Sequence, residues 1–337
     1  MSASTVKQHM PFVLILIPFA VYLGTICPTV YLGDSGELAA AGFSLGIAHG
    51  SGYPLYALLG KLFCLIPLGN IGFRMNLMSA FFAVMTVWLV YSLAFRITSS
   101  KTGALVGALV FAFTPVLWSQ AVPAEVYTLH TFFVAILMRL LWWWDEGKEF
   151  VILVLFVFIT GISFGNHLQT VMLAPAVLFI VLSGDKRSLF SIRHFLVLAV
   201  FFVLALSIYL YLPIRTNAGA AIHWGDPNSL DRFWAHVAGR SHRSRYVLNK
   251  TPVEYLDRAR ETLLFMWSQF GVVMLLSAWG WLKLASMRWR IFFVFRTLHR
   301  VCQICDTFIY CYCDYFMYFG FLKTVLKKIN IVCERKL

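Results

Sequence analysis

The side chains best placed to do chemistry begin with Asp34 and Glu37, in the run Gly33-Asp34-Ser35-Gly36-Glu37-Leu38. Two carboxylates three positions apart, at a glycine-rich exit from an apolar stretch, are costly to keep there without a purpose. A bland account exists: Asp34 as the N-cap of a helix and Glu37 as its partner in a capping box. The chemical account is general-base work, a carboxylate removing the proton of an attacking hydroxyl. Other polar groups join them. These are His49 in Ala48-His49-Gly50-Ser51-Gly52-Tyr53-Pro54, Glu125 in Pro123-Ala124-Glu125-Val126-Tyr127, and His167 in Asn166-His167-Leu168-Gln169. Further along stand Arg215, Asn217, His223, Trp224, Asp226, Arg240, His242 and Arg243. Each has a dull reading taken alone: Glu125 as a helix cap, His167 as a satisfied interhelical histidine, the Arg/His run as a solvated face.

The elements that must position these groups are membrane helices. Of 337 residues, 60% are hydrophobic and only 13% charged, and the mean hydropathy is +0.76. A soluble domain carries roughly 25% charged residues, so most of this surface must face something other than water. Apolar stretches long enough to cross the hydrocarbon core recur near 10–29, 76–95, 103–120, 127–144, 150–165, 168–183, 194–213 and 262–282. The expected fold is all-α, a polytopic membrane protein with about eight spans. The first span follows Lys7 without a convincing cleavage site and reads as a retained signal anchor. The apolar run from Pro54 to Ile66 is too short to span and reads as an interfacial or re-entrant helix with proline in its first turn.

Short loops set the orientation. Arg96 and Lys101 flank one, Lys186, Arg187 and Arg193 occupy another, and Lys283, Arg288 and Arg290 follow the last span. By the positive-inside rule these loops and the N-terminus are cytoplasmic. The loop 214–261 then lies outside although it is basic, which asks for an anionic partner. Nearly every candidate acid, base and phosphate ligand falls on that same outer side, in loops 30–75 and 214–261 and two short connections. The formal charge of +13 is read as loop anchors and head-group partners, not as a nucleic-acid surface.

Such a set suits sugar transfer from a lipid phosphate. A carboxylate takes the proton of the acceptor hydroxyl, and arginine, whose planar fork grips two phosphate oxygens, stabilises the departing phosphate. Tyr53, Tyr127 and Trp224 suit packing against a sugar ring. No metal or other cofactor is demanded: there is no HExxH, P-loop or Rossmann fingerprint.

GDSGELAAAG, LGIAHGSGYPLY, AEVYTLH, GNHLQT and YLPIRTN…HWGDPNSLDRFWAHVAGRSHRSRY, in that order, resemble the transmembrane-protein-260-like family. These are membrane-embedded C-fold glycosyltransferases related to protein O-mannosyltransferases, and the likeness runs over about residues 10–285. The resemblance implies a catalytic carboxylate in the first outer loop, here Asp34 with Glu37 beside it, and a donor-phosphate role for Arg215 and Arg240. His49, Tyr53, Glu125, His167, Trp224 and Asp226 would line the substrate site. The implied activity is a metal-independent, inverting transfer of a sugar, mannose among the candidates, from a polyprenyl- or dolichyl-phosphate to a protein or glycan hydroxyl. The setting would be the cytoplasmic membrane of a bacterium or the endoplasmic reticulum of a eukaryote.

Two departures from the family pattern stand out. Gly50 occupies the place of a proline in His-Pro-x-Gly-Tyr-Pro, and 286–337 is an irregular Phe/Tyr/Cys-rich basic tail, unlike the domain over 1–285. The tail suggests a shortened product, for which a non-catalytic role is an alternative. Its Cys302-x-x-Cys305 and Cys311-x-Cys313 lie among bulky apolar residues, a poor setting for tetrahedral zinc. A rival from another class is a transporter or lipid flippase with Asp34, Glu37 and Glu125 as a relay. Transporters often show repeated halves; no such repeat is visible, and the acids lie in loops. Asn249-Lys250-Thr251 is a glycosylation acceptor pattern.

Overall fold

The computed structural model describes residues 3–147, 149–175, 177 and 191–240, with side chains from Val13 onward, and isolated helical positions between 257 and 268. Residues Met1–Leu248 form one compact unit and Asn249–Leu337 a second. The described residues of the first unit are all-helical. In chain order they form α1 (Ala3–Thr25), α2 (Ser35–Ser44), α3 (Pro54–Cys64), α4 (Ile71–Thr98), α5 (Lys101–Ala112), α6 (Pro115–Ala121), α7 (Tyr127–Gly147) and α8 (Phe150–Phe164). After a 3-10 turn, Leu168–Leu173, come α9 (Ile192–Leu206), a second 3-10 turn (Ser207–Leu210), α10 (Tyr211–Asn217) and α11 (Leu230–Val237). One isolated parallel bridge joins Ile47 to His223.

Among the described residues, two helical stretches can cross a bilayer by length and composition, Ile71–Thr98 and Ile192–Asn217, and a third if α5 and α6 count as one span. Val13–Thr25, Pro54–Cys64 and Phe150–Phe164 are shorter apolar helices. This is fewer than the spans expected over the described residues. The stretch 103–120 is broken: α5 and α6 meet at 61°. Pro115 at the first position of α6 supplies no N–H to continue the ladder and pushes Thr114 into extended backbone (ψ 137°). The stretch expected over 168–183 opens as a 3-10 turn, and that over 262–282 lies outside the described residues but for isolated positions. Pro54 does open a short helix, α3, as its spacing requires.

α4 is the spine, packed by α1, α5 and α7. Its face toward α1 and α5 is small, with Ala80 and Ala83 meeting Tyr22, Ala108 and Ala112. α2 and α3 cross at two glycines. A Cβ on Gly60 would fall 3.2 Å from the Gly42 Cα, and Met75 of α4 lies over both. Small residues let backbones approach where lipid leaves packing as the main attraction. The same device joins α8 and α9, where a Cβ on Gly161 would reach Ala205 at 2.6 Å. Asn76 of α4, fully buried, donates to the carbonyls of Cys27 and Thr29 at 2.8 and 2.9 Å. Asn70 accepts from Phe73 at the α4 N-terminus and donates to the Pro28 carbonyl. These bonds pin the chain just before Asp34.

Candidate active site

Asp34 stands at the N-cap of α2, yet its backbone is helical (φ −77°, ψ −8°) and its side chain makes no capping hydrogen bond. The capped-turn account therefore fails for Asp34, and its carboxylate, about a third exposed, is left facing the loop beyond. Glu37, in the first turn of α2, reaches that loop. Its Oε1 accepts the backbone N–H of His49 at 2.6 Å, and Oε2 lies 3.2 Å from His49 Nδ1. The other imidazole nitrogen, Nε2, is 3.7 Å from Asp34 Oδ2 and 3.3 Å from the Tyr53 hydroxyl. His49 thus bridges the two carboxylates through opposite ring nitrogens. Burial disfavours its imidazolium, but the Glu37 hydrogen bond with the Glu37 and Asp34 charges outweighs that and raises its pKa above the usual histidine value.

Loop 45–53 is held from far along the chain. Arg215, in α10, donates through Nε to Leu45 O at 2.7 Å and through Nη2 to Ser44 O at 3.2 Å. It thereby satisfies carbonyls left open where α2 ends in left-handed Leu45 (φ 54°). The Tyr211 hydroxyl donates to Gly46 O. Ile47 pairs on both sides of His223, its N–H to Ile222 O at 2.7 Å and its carbonyl from Trp224 N at 3.1 Å. His236 Nε2 contacts Ala48 O at 3.1 Å. Gly52 has φ +84°, and a Cβ there would meet Leu212 Cδ2 at 2.7 Å. A Cβ on Gly50 would stand 3.0 Å from His236 O and 3.2 Å from Gly239 Cα, so the loop packs directly on the turn after α11.

The third carboxylate comes from the connection between α6 and α7. That connection is fastened by Cys27 N–H to Val122 O, Asn166 Nδ2 to Val126 O and Glu125 N–H to Ser79 Oγ. Glu125 is 8% exposed. Burial first, then the negative charge of Asp34, raises its pKa to about 8, against a hydrogen bond from the Val126 backbone. It is neutral at pH 7. Beside it lies Tyr56, whose phenol is pushed well up by burial and by the Glu125 charge, with Ser79 opposing.

His167 completes the wall. Its Nδ1 accepts the Gln169 N–H at 3.2 Å, so the neutral ring carries its proton on Nε2. Burial, then the His130 and His49 charges, lowers its pKa to about 3. Its ring lies 6.1 Å from Tyr53, 5.9 Å from Tyr127 and 5.2 Å from His130. The arrangement offers one accessible carboxylate, one buried protonated acid, a histidine between two carboxylates and a neutral N–H donor among aromatic rings.

Asp34, Glu37, His49, Tyr53, Glu125 and His167 come together. Trp224, Asp226 and Arg240 do not join them by any contact described. The Trp224 side chain is exposed, Asp226 pairs with Arg232 at 2.7 Å, and Arg240 lies 3.5 Å from Asp231 on the surface. His242 and Arg243, like Cys302-x-x-Cys305, Cys311-x-Cys313 and the Asn249 sequon, lie outside the described residues. Three contributors escaped the sequence reading. His130 follows Tyr127 by three positions, hence on the same face of α7, and Tyr56 follows Tyr53 by three; both spacings are plain in the chain. His236 had no local signal, since its partner is Ala48.

Residues 34–190 match the family described as the Protein O-mannosyl-transferase TMEM260 N-terminal domain. Protein O-mannosyl-transferase TMEM260 of Mus musculus is 34% identical over 227 residues, covering 64% of this chain and 32% of the mouse protein. Protein O-mannosyl-transferase tmem260 of Dictyostelium discoideum is 26% identical over 234 residues, 64% of this chain and 29% of that protein. The chain thus spans about a third of the length of these curated relatives. No solved structure matches. The match to this N-terminal domain lies over the residues that carry Asp34, Glu37, His49, Glu125 and His167.

Proposed function

We propose that this chain belongs to a membrane-embedded glycosyltransferase of the C-fold class, one that moves mannose from a polyprenyl- or dolichyl-phosphate to a hydroxyl of a protein. The observation that carries this reading is the accessible Asp34 carboxylate with a His49–Glu37 pair behind it. The names of the mouse and Dictyostelium relatives support the sugar and the acceptor class. The basic short loops support a site on the lumenal or outer side of a multi-pass fold.

Asp34 takes the proton as the acceptor oxygen attacks the anomeric carbon. The bond from that carbon to the phosphate oxygen breaks, the phosphate leaves with the electron pair, and the configuration inverts. His49 spreads the proton's charge toward Glu37. Glu125, protonated, adds no repulsion to an arriving phosphate. The Nε2–H of His167 and the rings of Tyr53 and Tyr127 receive the sugar. Arg215, with guanidinium donors beyond those on Ser44 and Leu45, holds the phosphate.

The test offers radiolabelled polyprenyl-phosphate mannose to membranes holding the chain, its Asp34→Asn variant, or neither. Label reaching protein with the intact chain and lost with Asp34→Asn is the expected result. Equal transfer by both forms would remove Asp34 from the reaction, and no transfer by folded, inserted chain would remove the activity.

A further inference from the structure

We infer that α11 is an interfacial anchor, with Leu230 and Trp234 seated in the lipid of the leaflet where the span Ile192–Asn217 leaves the hydrocarbon. The helix Leu230–Val237 opens at Ser229, whose hydroxyl accepts the Arg232 N–H. At about 100° per residue its side chains divide into sectors. One sector faces protein: His236 is buried, and Phe233 and Val237 pack with Tyr209, Tyr211 and Leu212. Another is polar and its charges are paired, Arg232 with Asp226 and Asp231 with Arg240. Leu230 and Trp234, one turn apart, lie between the two and are 80% and 58% exposed. A bare leucine and indole beside a charge-paired polar face are the pattern of a helix lying in a membrane interface.

Depth says what covers that edge. The span Ile192–Asn217 is 26 residues long, roughly 39 Å at the helical rise, against a hydrocarbon core of about 30 Å. On the same measure Tyr209 lies about 26 Å from Ile192, just short of the far boundary. Phe233 meets Tyr209 ring to ring, with centroids 6.5 Å apart and planes at 84°. Leu206, deeper still, belongs to the same cluster. α11 is therefore folded back to the level where the span leaves the hydrocarbon. Leu210 and Ile214 at that level are exposed, and on a helix that crosses a bilayer such side chains meet lipid. The edge formed by Leu230 and Trp234 lies at the same level, where an indole can place its ring among acyl chains and its N–H among head groups.

The other side of α11 gives the anchor a use. His236 contacts the Ala48 carbonyl at 3.1 Å, and Gly50 and Gly225 both pack against His236. Lipid held along one edge of the helix thus steadies loop 45–53 through the opposite edge. Nothing in this anchor requires sugar transfer; it requires only that Ile192–Asn217 crosses a bilayer.

Site-specific photo-crosslinking tests it. Full chain in lipid nanodiscs would carry p-benzoyl-phenylalanine in place of Leu230, Trp234 or Arg232, one position per preparation, with radiolabelled phosphatidylcholine in the bilayer. Irradiation should join lipid to the chain from the Leu230 and Trp234 positions. The Arg232 position, about 200° around the helix from both, should give no adduct above background. A second measurement keeps natural side chains: lipids brominated near the head of the acyl chain should quench the fluorescence of the unaltered chain more than that of Trp234→Phe. Absence of lipid adducts at Leu230 and Trp234, equal adducts at all three positions, or quenching unchanged by Trp234→Phe would each overturn the anchor. Cross-links from Leu230 and Trp234 into the chain itself or a second copy would overturn it too, by giving the edge a protein cover.

Discussion

The guanidinium of Arg215 donates through Nε to the carbonyl oxygen of Leu45, 170 residues earlier in the chain, at 2.7 Å. With its second bond to Ser44, this makes α10 the clamp on the loop that carries His49. Arg215→Lys keeps the charge but loses the planar fork that spans two carbonyls. We expect a loss of about 1–3 kcal/mol in stability, read by thermal unfolding in detergent, together with lower transfer. A higher donor KM at unchanged stability would instead make Arg215 chiefly a phosphate ligand.

Asp34→Asn removes the base of the proposed transfer and almost no volume. Transfer should fall by about a hundredfold to ten-thousandfold, with stability within about 0.5 kcal/mol of the parent, because the side chain is part-exposed and caps nothing. Turnover with lipid-linked mannose, beside an unfolding curve, checks both halves. A variant that is inactive and also unfolded would return Asp34 to a structural role.

Glu125 makes stability depend on pH in a definite direction. Its pKa rises on folding from 4.5 to about 8. Below the lower value both folded and unfolded chains hold the proton. Above it the unfolded chain releases the proton and the folded chain keeps it, so stability falls as pH rises toward 8. Glu125→Gln should flatten that limb and stabilise the protein at pH 8 relative to the parent. Unfolding measured from about pH 5 to about pH 8.5 spans that window and decides it, and parallel curves for the two proteins would mean Glu125 is ionised in the fold.

Gly52 has φ +84° and a Leu212 methyl at 2.7 Å from where a Cβ would go. Gly52→Ala meets both strain and crowding, at a cost of about 1–3 kcal/mol. His49 and Tyr53 flank it on a loop held by His236, so transfer should fall with stability. Unchanged Tm and turnover would show that the loop has a second resting conformation.

Legibility followed sequence distance. Asp34, Glu37, His49 and Tyr53 could be picked out because each sits beside glycine or proline within twenty residues of the others, and Glu125 and His167 because each ends an apolar run. Pro54 announced α3. Pro115 was an equally plain signal of the break between α5 and α6, overridden by the apolar composition around it. The partners of Arg215 and Arg240 were out of reach. Both arginines look like phosphate ligands on a basic loop, and only the fold shows Ser44, Leu45 and Asp231 next to them. The capping-box reading of Asp34 failed for a similar reason: Glu37 has His49 as a neighbour, a fact local spacing does not contain.

The contact between His236 and the Ala48 carbonyl spans 188 residues, and the Ile47–His223 bridge lies beside it. A growing chain therefore displays Asp34, Glu37 and His49 long before the segment that fastens their loop has been made. During that interval the early helices carry the histidine and two carboxylates on a loop not yet fastened, and its described geometry is complete only once residues 209–236 have been made. Closing a loop of that length costs about 5 kcal/mol in chain entropy, met by contacts that form last. Assembly of the loop is thus timed by synthesis, and an arrest before about residue 236 leaves a helical core without the segment that fastens His49.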